Sequence, residues 1–166
     1  MTTTNSHDLL VNWLKSAHAM ETSLINMLEN QAERATAFAD IQSKLYEHRE
    51  QSQRHADLLK GCIARLGGKV SQVRTGLSKF MGESQSLMLG AFGDSVVRDA
   101  IVGAMAEQME ISSYNAIIAL AEQLNDEETV RICSEILEEE EEMHEFLNDH
   151  LKELVERGYE RDLLIT

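Results

Sequence analysis

The sequence predicts an all-α protein, a bundle of four long helices. The chain has 166 residues, no proline and only 5% aromatic residues, and such a composition favours helices throughout. Apolar residues recur at alternating spacings of three and four in four long stretches, which is the helical period. The turns within each pair of stretches are short, whereas a long segment separates the pairs. We therefore expect one domain over residues 1–166, large enough to bury a core.

The charge of the chain excludes several classes of partner. The formal net charge is −14 and no basic cluster interrupts it, so we expect neither nucleic-acid nor membrane binding. The N-terminus lacks a signal-peptide pattern, and no apolar run approaches the roughly 20 residues needed to span a bilayer. A cytoplasmic protein is the expectation. Cys62 and Cys133 lie on apolar stripes, which predicts buried thiols rather than a disulfide.

The first predicted helix carries a carboxylate in its apolar row. It begins near His7 or Asp8, and its stripe runs through Leu10, Leu14, Ala17, Glu21, Leu24 and Leu28. Packing on that face would bury Glu21. Because an unpartnered buried carboxylate is costly, Glu21 should be paired, neutralised or bound to a cation.

The second predicted helix has a polar centre in an otherwise apolar seam. The seam consists of Ile41, Leu45, His48, Ser52, His55, Leu59, Cys62 and Leu66, and Gly67-Gly68 ends the helix. A core histidine is either a hydrogen-bonded structural residue or a metal ligand. Both readings stay open here, and His55 is the better candidate ligand than His48.

The second half repeats the hairpin layout after a crossover over residues 67–94, which has room for a short helix. The third helix runs from about Ser95 to Leu124 and holds Glu107 and Glu110 on one face, one turn apart. Tyr114 follows one turn later, within reach of a carboxylate.

The fourth predicted helix, from about Glu127 to Arg157, contains five consecutive glutamates. Glu141 and His144 stand three residues apart in it, with Glu140 beside them. Glu-x-x-His is the pair that di-iron and di-manganese bundles project into their core. The alternative is a solvated helix face, which is the ordinary fate of a charge run.

The polar residues that interrupt the apolar rows lie near the middle of all four helices. Antiparallel packing should therefore bring them to one level of the bundle. Several ionised carboxylates cannot share a dry core without cations. Two divalent metal ions would neutralise four such charges, and mixed oxygen and nitrogen ligation suits iron or manganese, with zinc remaining open.

Three stretches resemble a known family: AMETSLINML, YEHREQSQRHADLLKGCIARLGGK and DAIVGAMAEQMEISSYNAIIALAEQLNDEETVRICSEILEEEEEMH. They are similar to the ferritin-like YciE/YciF-type (DUF892) family of bacterial stress-associated proteins, over about Leu9 to Leu154. The resemblance implies a ferritin-like four-helix bundle with a di-metal site, dimers and ferroxidase-type activity. Glu21, Glu107 and Glu110 match the carboxylates of the family, and the fourth-helix ligands fall among Glu140, Glu141 and His144.

One segment departs from the family pattern. The wider ferritin-like pattern has a glutamate three residues before the histidine of the second helix, where this chain has Ser52. Family members usually have Glu-Glu-Thr where this chain has Glu50-Gln51-Ser52, so Gln51 stands where a glutamate is expected. A neutral Gln51 would weaken one metal position, make the site mononuclear, or mark the loss of redox chemistry. Glu47, Glu50 or His48 could compensate.

Two functions are thus expected from the sequence. The first is a di-metal protein that binds two ions, iron in preference to manganese or zinc, and reacts with O₂ or peroxide, as a homodimer. Its ligands would be Glu21, His55, Glu107, Glu110, Glu141 and His144, with Glu140 and His48 as further candidates and Tyr114 and Gln51 adjacent. The second is a structural, stress-associated bundle without metal or redox turnover.

Overall fold

The part of the chain that the structure describes folds into four long α-helices, as predicted. The computed structural model describes residues 6–70 and 96–160, and its helices are α1 (Ser6–Arg34), α2 (Ala39–Arg65), α3 (Val96–Gln123) and α4 (Glu127–Glu160). The helix α4 continues past Gly158, where the sequence predicted its end. Residues 71–95, which include most of the predicted crossover and its short helix, lie outside the described residues.

Two helix ends adopt a left-handed cap. Gly67 has a φ of 77°, and the amides of Gly67 and Gly68 donate to the carbonyls of Ala64 and Ile63 at 3.0 and 2.8 Å. Asn125 at the end of α3 has a φ of 56° and the same bonding pattern. Both caps satisfy carbonyls that a helix end leaves unpaired.

The helices pack as two hairpins laid together. Helix α1 packs mainly against α2 and α3 mainly against α4, while α1–α3 and α2–α4 contacts join the hairpins. The apolar core is divided into two clusters. One is built around Leu14, Leu59, Ile117 and Ile136, and the other around Leu24, Leu45, Ala106 and Leu147. A layer of buried polar side chains lies between them.

Two further expectations from the sequence concern thiols and membranes. Cys62 and Cys133 are buried free thiols in the first apolar cluster, as predicted. Of the helices in residues 6–70 and 96–160, none is long and apolar enough to cross a bilayer.

Candidate metal centre

The polar layer between the two apolar clusters is built by all four helices. Each of its side chains is 0–1% exposed: Glu21 on α1, His48, Ser52 and His55 on α2, Glu107, Glu110 and Tyr114 on α3, and Glu140 on α4. The spacings of three and four residues within α2 and α3 keep these groups on the inward face of each helix. The layer therefore forms because polar residues occupy core positions at one level of the bundle.

Glu140 connects the two histidines. Its Oε1 lies 2.9 Å from Nδ1 of His55, and its Oε2 lies 3.3 Å from Nε2 of His48. Neither contact is aligned as a hydrogen bond, because both Glu140 oxygens and His55 Nδ1 lack a hydrogen-bond partner in the described chain. Glu140 thus presents one oxygen to each histidine and could serve as a ligand beside either of them.

The other carboxylates of α1 and α3 flank Glu140. Nε2 of His48 lies 3.2 Å from Oε2 of Glu107, and Nδ1 of His55 lies 3.4 Å from Oε1 of Glu21. The hydroxyl of Tyr114 donates a short hydrogen bond to the same Glu21 oxygen. Glu21 is thus held in place from α3.

Many buried oxygens of the layer have no hydrogen-bond partner among the described residues. Six of the eight carboxylate oxygens are in this state: Glu21 Oε2, Glu107 Oε1, both oxygens of Glu110 and both of Glu140. Native interiors contain few such atoms, and each of them calls for an explanation such as an ion. This donor set of carboxylates and imidazoles fits iron, manganese or zinc.

Burial shifts the protonation of the α3 carboxylates. Burial raises the pKa of Glu110 well above its usual range, and the nearby carboxylates of Glu21, Glu140 and Glu107 raise it further. Burial also raises the pKa of Glu107, to about 8, against the opposing effect of His48. Without a cation, Glu107 therefore holds its proton at neutral pH, and the pKa of Glu110 shifts in the same direction, because the charged forms of both groups are desolvated and mutually repulsive.

The histidines and Glu140 shift in the opposite sense, towards their charged forms. Burial disfavours the imidazolium of His55, but the carboxylates of Glu140 and Glu21 raise its pKa to about 10. The pKa of His48 likewise rises, despite burial, through Glu107 and Glu140. Burial would raise the pKa of Glu140, but both imidazoles lower it.

Among the described residues, two groups of ligand atoms lie close enough together to hold a metal ion. One consists of Glu21, His55 and Glu140 and the other of His48, Glu107 and Glu140, and within each group the atoms lie within 4.8 Å of one another. Because Glu140 belongs to both groups, two ions held here would share it. Glu110 is fully buried beside them and offers two further oxygens.

The structure brings together most of the residues selected from the sequence. Glu21, His55, Glu107 and Glu110 lie in the polar layer, and so do the further candidates Glu140 and His48, with Tyr114 bonded to Glu21.

Two expected ligands lie outside the layer. Glu141 is exposed, and His144 is half-buried, with its Nδ1 on the carbonyl of Ala104 at 3.0 Å and its Nε2 near Asn148. One helical residue turns the side chain by about 100°, so the face that buries Glu140 and Met143 directs Glu141 away. The structure therefore places Glu140 of α4 in the polar layer, and the expectation that Glu141 and His144 face it is wrong.

Gln51 and Ser52 take different places. Gln51 is half-buried and its Oε1 lies 3.0 Å from Nδ1 of His48, the ring nitrogen that faces away from Glu107. Ser52 occupies the buried inward position, and its hydroxyl has no hydrogen-bond partner in the described residues.

Glu139 is a polar contact that the sequence did not indicate. Its Oε2 lies 2.9 Å from Nε2 of His55, and its carboxylate also forms a short ion pair with Arg54. The sequence does not single out Glu139 within the run of glutamates, because only the packing of α4 on α2 distinguishes it from its neighbours.

Comparison with known proteins agrees with this architecture. Residues 5–160 match the model of a family described as a domain of unknown function, DUF892. The chain belongs to this family. Its fold also matches that of a protein from Xanthomonas campestris pv. campestris, with 26% identity and a TM-score of 0.82 over 96% of this chain and 99% of the other.

Two further solved structures connect the family to a wider fold. The Escherichia coli stress protein YciF is 20% identical, with a TM-score of 0.79 over 93% of this chain and 99% of that one. Desulfovibrio desulfuricans bacterioferritin, a protein with a diiron site, is 20% identical, with a TM-score of 0.70 over 90% and 85%. These likenesses show that the chain shares the ferritin-like four-helix fold of these proteins.

Proposed function

We propose that this DUF892 protein binds two divalent metal ions in its polar layer, with iron(II) as the favoured ion, and uses them to reduce O₂ or peroxide. The carrying observation is the position of Glu140, which offers one oxygen to the His55 position and the other to the His48 position. Glu21 would complete the first position and Glu107 the second, while Glu110 would add oxygens to either.

Charge balance supports two ions rather than one. The layer holds four carboxylates, those of Glu21, Glu107, Glu110 and Glu140, all of them buried. Two divalent cations would neutralise all four and provide partners for the six oxygens that lack them. A single cation would neutralise only two of them, so the other two would have to keep protons, as Glu107 does without metal, and could not act as ionised ligands.

The residues of the chain prepare the site for redox chemistry. Iron(II), when bound, supplies the electrons for reducing the oxidant. The two apolar clusters close the layer on both sides and restrict water, while Tyr114 fixes the orientation of Glu21. The histidines must give up their inward protons to act as ligands, so loading releases protons.

Ser52 removes one ligand from α2, but both proposed metal positions remain. A serine in place of a bridging glutamate removes one charge and one ligand from α2. His48, one turn earlier on the same helix, supplies a ligand from the same inward face. We infer that the site keeps two positions, with four carboxylates and two imidazoles as in di-iron bundles but with both imidazoles on α2.

The test is oxidation of bound iron. Protein loaded anaerobically with two equivalents of iron(II) should develop near-ultraviolet absorption on exposure to oxygen, faster than iron(II) in buffer. The Glu107→Gln variant should lose most of this rate, whereas Glu142→Gln, on the exposed face of α4, should retain it. Oxidation at the buffer rate in the wild-type protein would contradict the redox function.

A second candidate function is a structural bundle that needs no metal. It is favoured by the ion pairs that the histidines already form with Glu107, Glu140 and Glu21. In that case, adding manganese(II) or a chelator should leave the melting temperature unchanged, whereas an ion bound only by the native state raises it.

We also infer a homodimer that forms through α3. Between Ala100 and Ala121 the charged residues are Glu107 and Glu110, and both are buried, so the outward face of this stretch carries no charge. Two chains of net charge −14 repel one another least across such a face. Light scattering should give twice the chain mass, and Met105→Glu, at a side chain that is 51% exposed, should give monomers.

A further inference from the structure

Each histidine of the polar layer presents one ring nitrogen to the carboxylates and the other to a supporting residue. His55 directs Nδ1 inward and Nε2 to Glu139 at 2.9 Å. His48 directs Nε2 inward and Nδ1 to Gln51 at 3.0 Å. The supporting contact decides which nitrogen keeps its proton and which can bind a metal, because a ligating imidazole donates through its other nitrogen.

The two supporting residues differ in charge. Glu139 is a carboxylate whose side chain is 28% exposed, and Arg54 holds it by an ion pair with its guanidinium. A carboxylate behind an imidazole increases the electron density at the opposite nitrogen and makes it a stronger ligand. Gln51 presents a neutral amide oxygen, which orients His48 but adds no negative charge.

We propose that Glu139 and Gln51 are positioning residues that make the two metal positions unequal. The position with His55 and Glu21 binds a divalent ion first, and the position with His48 and Glu107 binds the second ion more weakly. This inference rests on the proposed function, since it concerns the order in which the same layer is filled.

The test is a manganese(II) titration of a matched set of variants. Glu139→Gln keeps an oxygen acceptor for His55 but removes its charge, and it should weaken the tighter site about 10- to 100-fold. Glu138→Gln, an exposed neighbour, should change neither site by more than about twofold. Loss of surface charge alone predicts equal effects for the two variants.

The reciprocal variant places a carboxylate next to Nδ1 of His48. Gln51→Glu should strengthen the weaker site by about tenfold or more and leave the tighter site nearly unchanged. Gln53→Glu, at an exposed position two residues away on α2, adds the same charge without reaching His48 and serves as the control. If the two variants behave alike, the supporting role of position 51 is wrong.

A second measurement needs no metal. The ring ¹⁵N shifts of His55 in the metal-free protein should change in Glu139→Gln and stay constant in Glu138→Gln, because Glu139 contacts the ring and the exposed Glu138 does not. Unchanged shifts would overturn the role of Glu139. If the wild-type protein binds no manganese(II), the proposed function and this inference both fail. If it binds two ions and Glu139→Gln matches Glu138→Gln, only this inference fails.

Discussion

Glu140 and His55 face each other across the contact between α4 and α2, with Oε1 of the carboxylate 2.9 Å from Nδ1 of the imidazole. The other oxygen of Glu140 faces His48. This carboxylate belongs to both candidate metal positions, so its removal should affect both. The residue beside it on α4, Glu141, is exposed and provides a natural control.

We expect Glu140→Gln to abolish the rise in melting temperature that manganese(II) produces in the wild-type protein. The amide cannot bridge two cations as an anion, and each position loses a charged ligand. Differential scanning calorimetry with and without metal measures this change. Glu141→Gln should keep the full wild-type rise. A rise retained by Glu140→Gln and lost by Glu141→Gln would restore the assignment made from the sequence.

Replacing Glu110 should make the metal-free protein more stable. Glu110 is fully buried, its two oxygens lack hydrogen-bond partners in the described chain, and burial and the neighbouring carboxylates raise its pKa. Replacing buried ionisable groups by apolar residues of similar volume is often neutral or stabilising by about 1–4 kcal/mol, and Glu110 has no hydrogen bond to lose among the described residues. We expect Glu110→Leu to gain within that range in urea unfolding at neutral pH with a chelator present, and to bind metal poorly.

The control for this gain is Glu138→Leu, at an exposed position, which should change the free energy of unfolding by no more than about 0.5 kcal/mol. A loss of stability in Glu110→Leu would show that the buried carboxylate is well satisfied without metal.

The metal-free protein should lose stability as the pH rises from 6.5 to about 8. The native state holds the proton of Glu107 up to about pH 8 and that of His55 up to about pH 10, whereas the unfolded chain loses them near 4.5 and 6.5. The native state thus binds more protons in this window, and stability falls as pH increases. Urea midpoints at the two pH values measure the slope.

The carboxylate of Glu140 does not reverse this slope, because its lowered pKa leaves it ionised in both states above pH 6.5. Bound metal should flatten the slope or invert it, since protons compete with the metal for the same atoms. If the metal-free protein became more stable between pH 6.5 and 8, the protonation states described above would be wrong.

The turn between α3 and α4 should contribute to stability without affecting metal binding. Asp126 accepts hydrogen bonds from the amide and hydroxyl of Thr129 at 3.4 and 2.7 Å, and Arg65 of α2 donates to it at 2.7 Å. We expect Asp126→Ala to lose about 1–2 kcal/mol in urea unfolding and to bind as much metal as the wild type.

Glu127→Ala, in the first turn of α4, should cost only a few tenths of a kcal/mol and serves as the control. Equal effects of the two variants would exclude a capping role for Asp126.

The fold and much of the candidate site could be predicted because the informative residues interrupt regular apolar rows. Glu21 lies between Ala17 and Leu24, and Glu107 and Glu110 share their face with Tyr114 and Ile117. In each case the flanking core residues fix the phase of the helix. The carboxylate therefore has to face the interior, whatever its own preference.

The fourth helix shows why the rest could not be predicted in the same way. In a run of five glutamates no residue differs from its neighbours, so the phase must come from the flanking core residues. Ile136, Met143 and Leu147 are buried, and the spacings of four, three and four residues that they define pass through Glu140. That spacing is present in the sequence, but the Glu-x-x-His pattern favoured Glu141. The contact of Glu139 with His55 depends on how α4 packs on α2, which no local pattern encodes.

The most direct test of a two-ion centre bridged by Glu140 is the stoichiometry of metal binding. Untagged protein stripped with chelator would be dialysed anaerobically against iron(II) or manganese(II), and bound metal would be measured by elemental analysis. We expect two ions per chain in the wild-type protein and fewer than one in Glu140→Gln. Two ions in both proteins, or none in the wild type, would contradict this expectation.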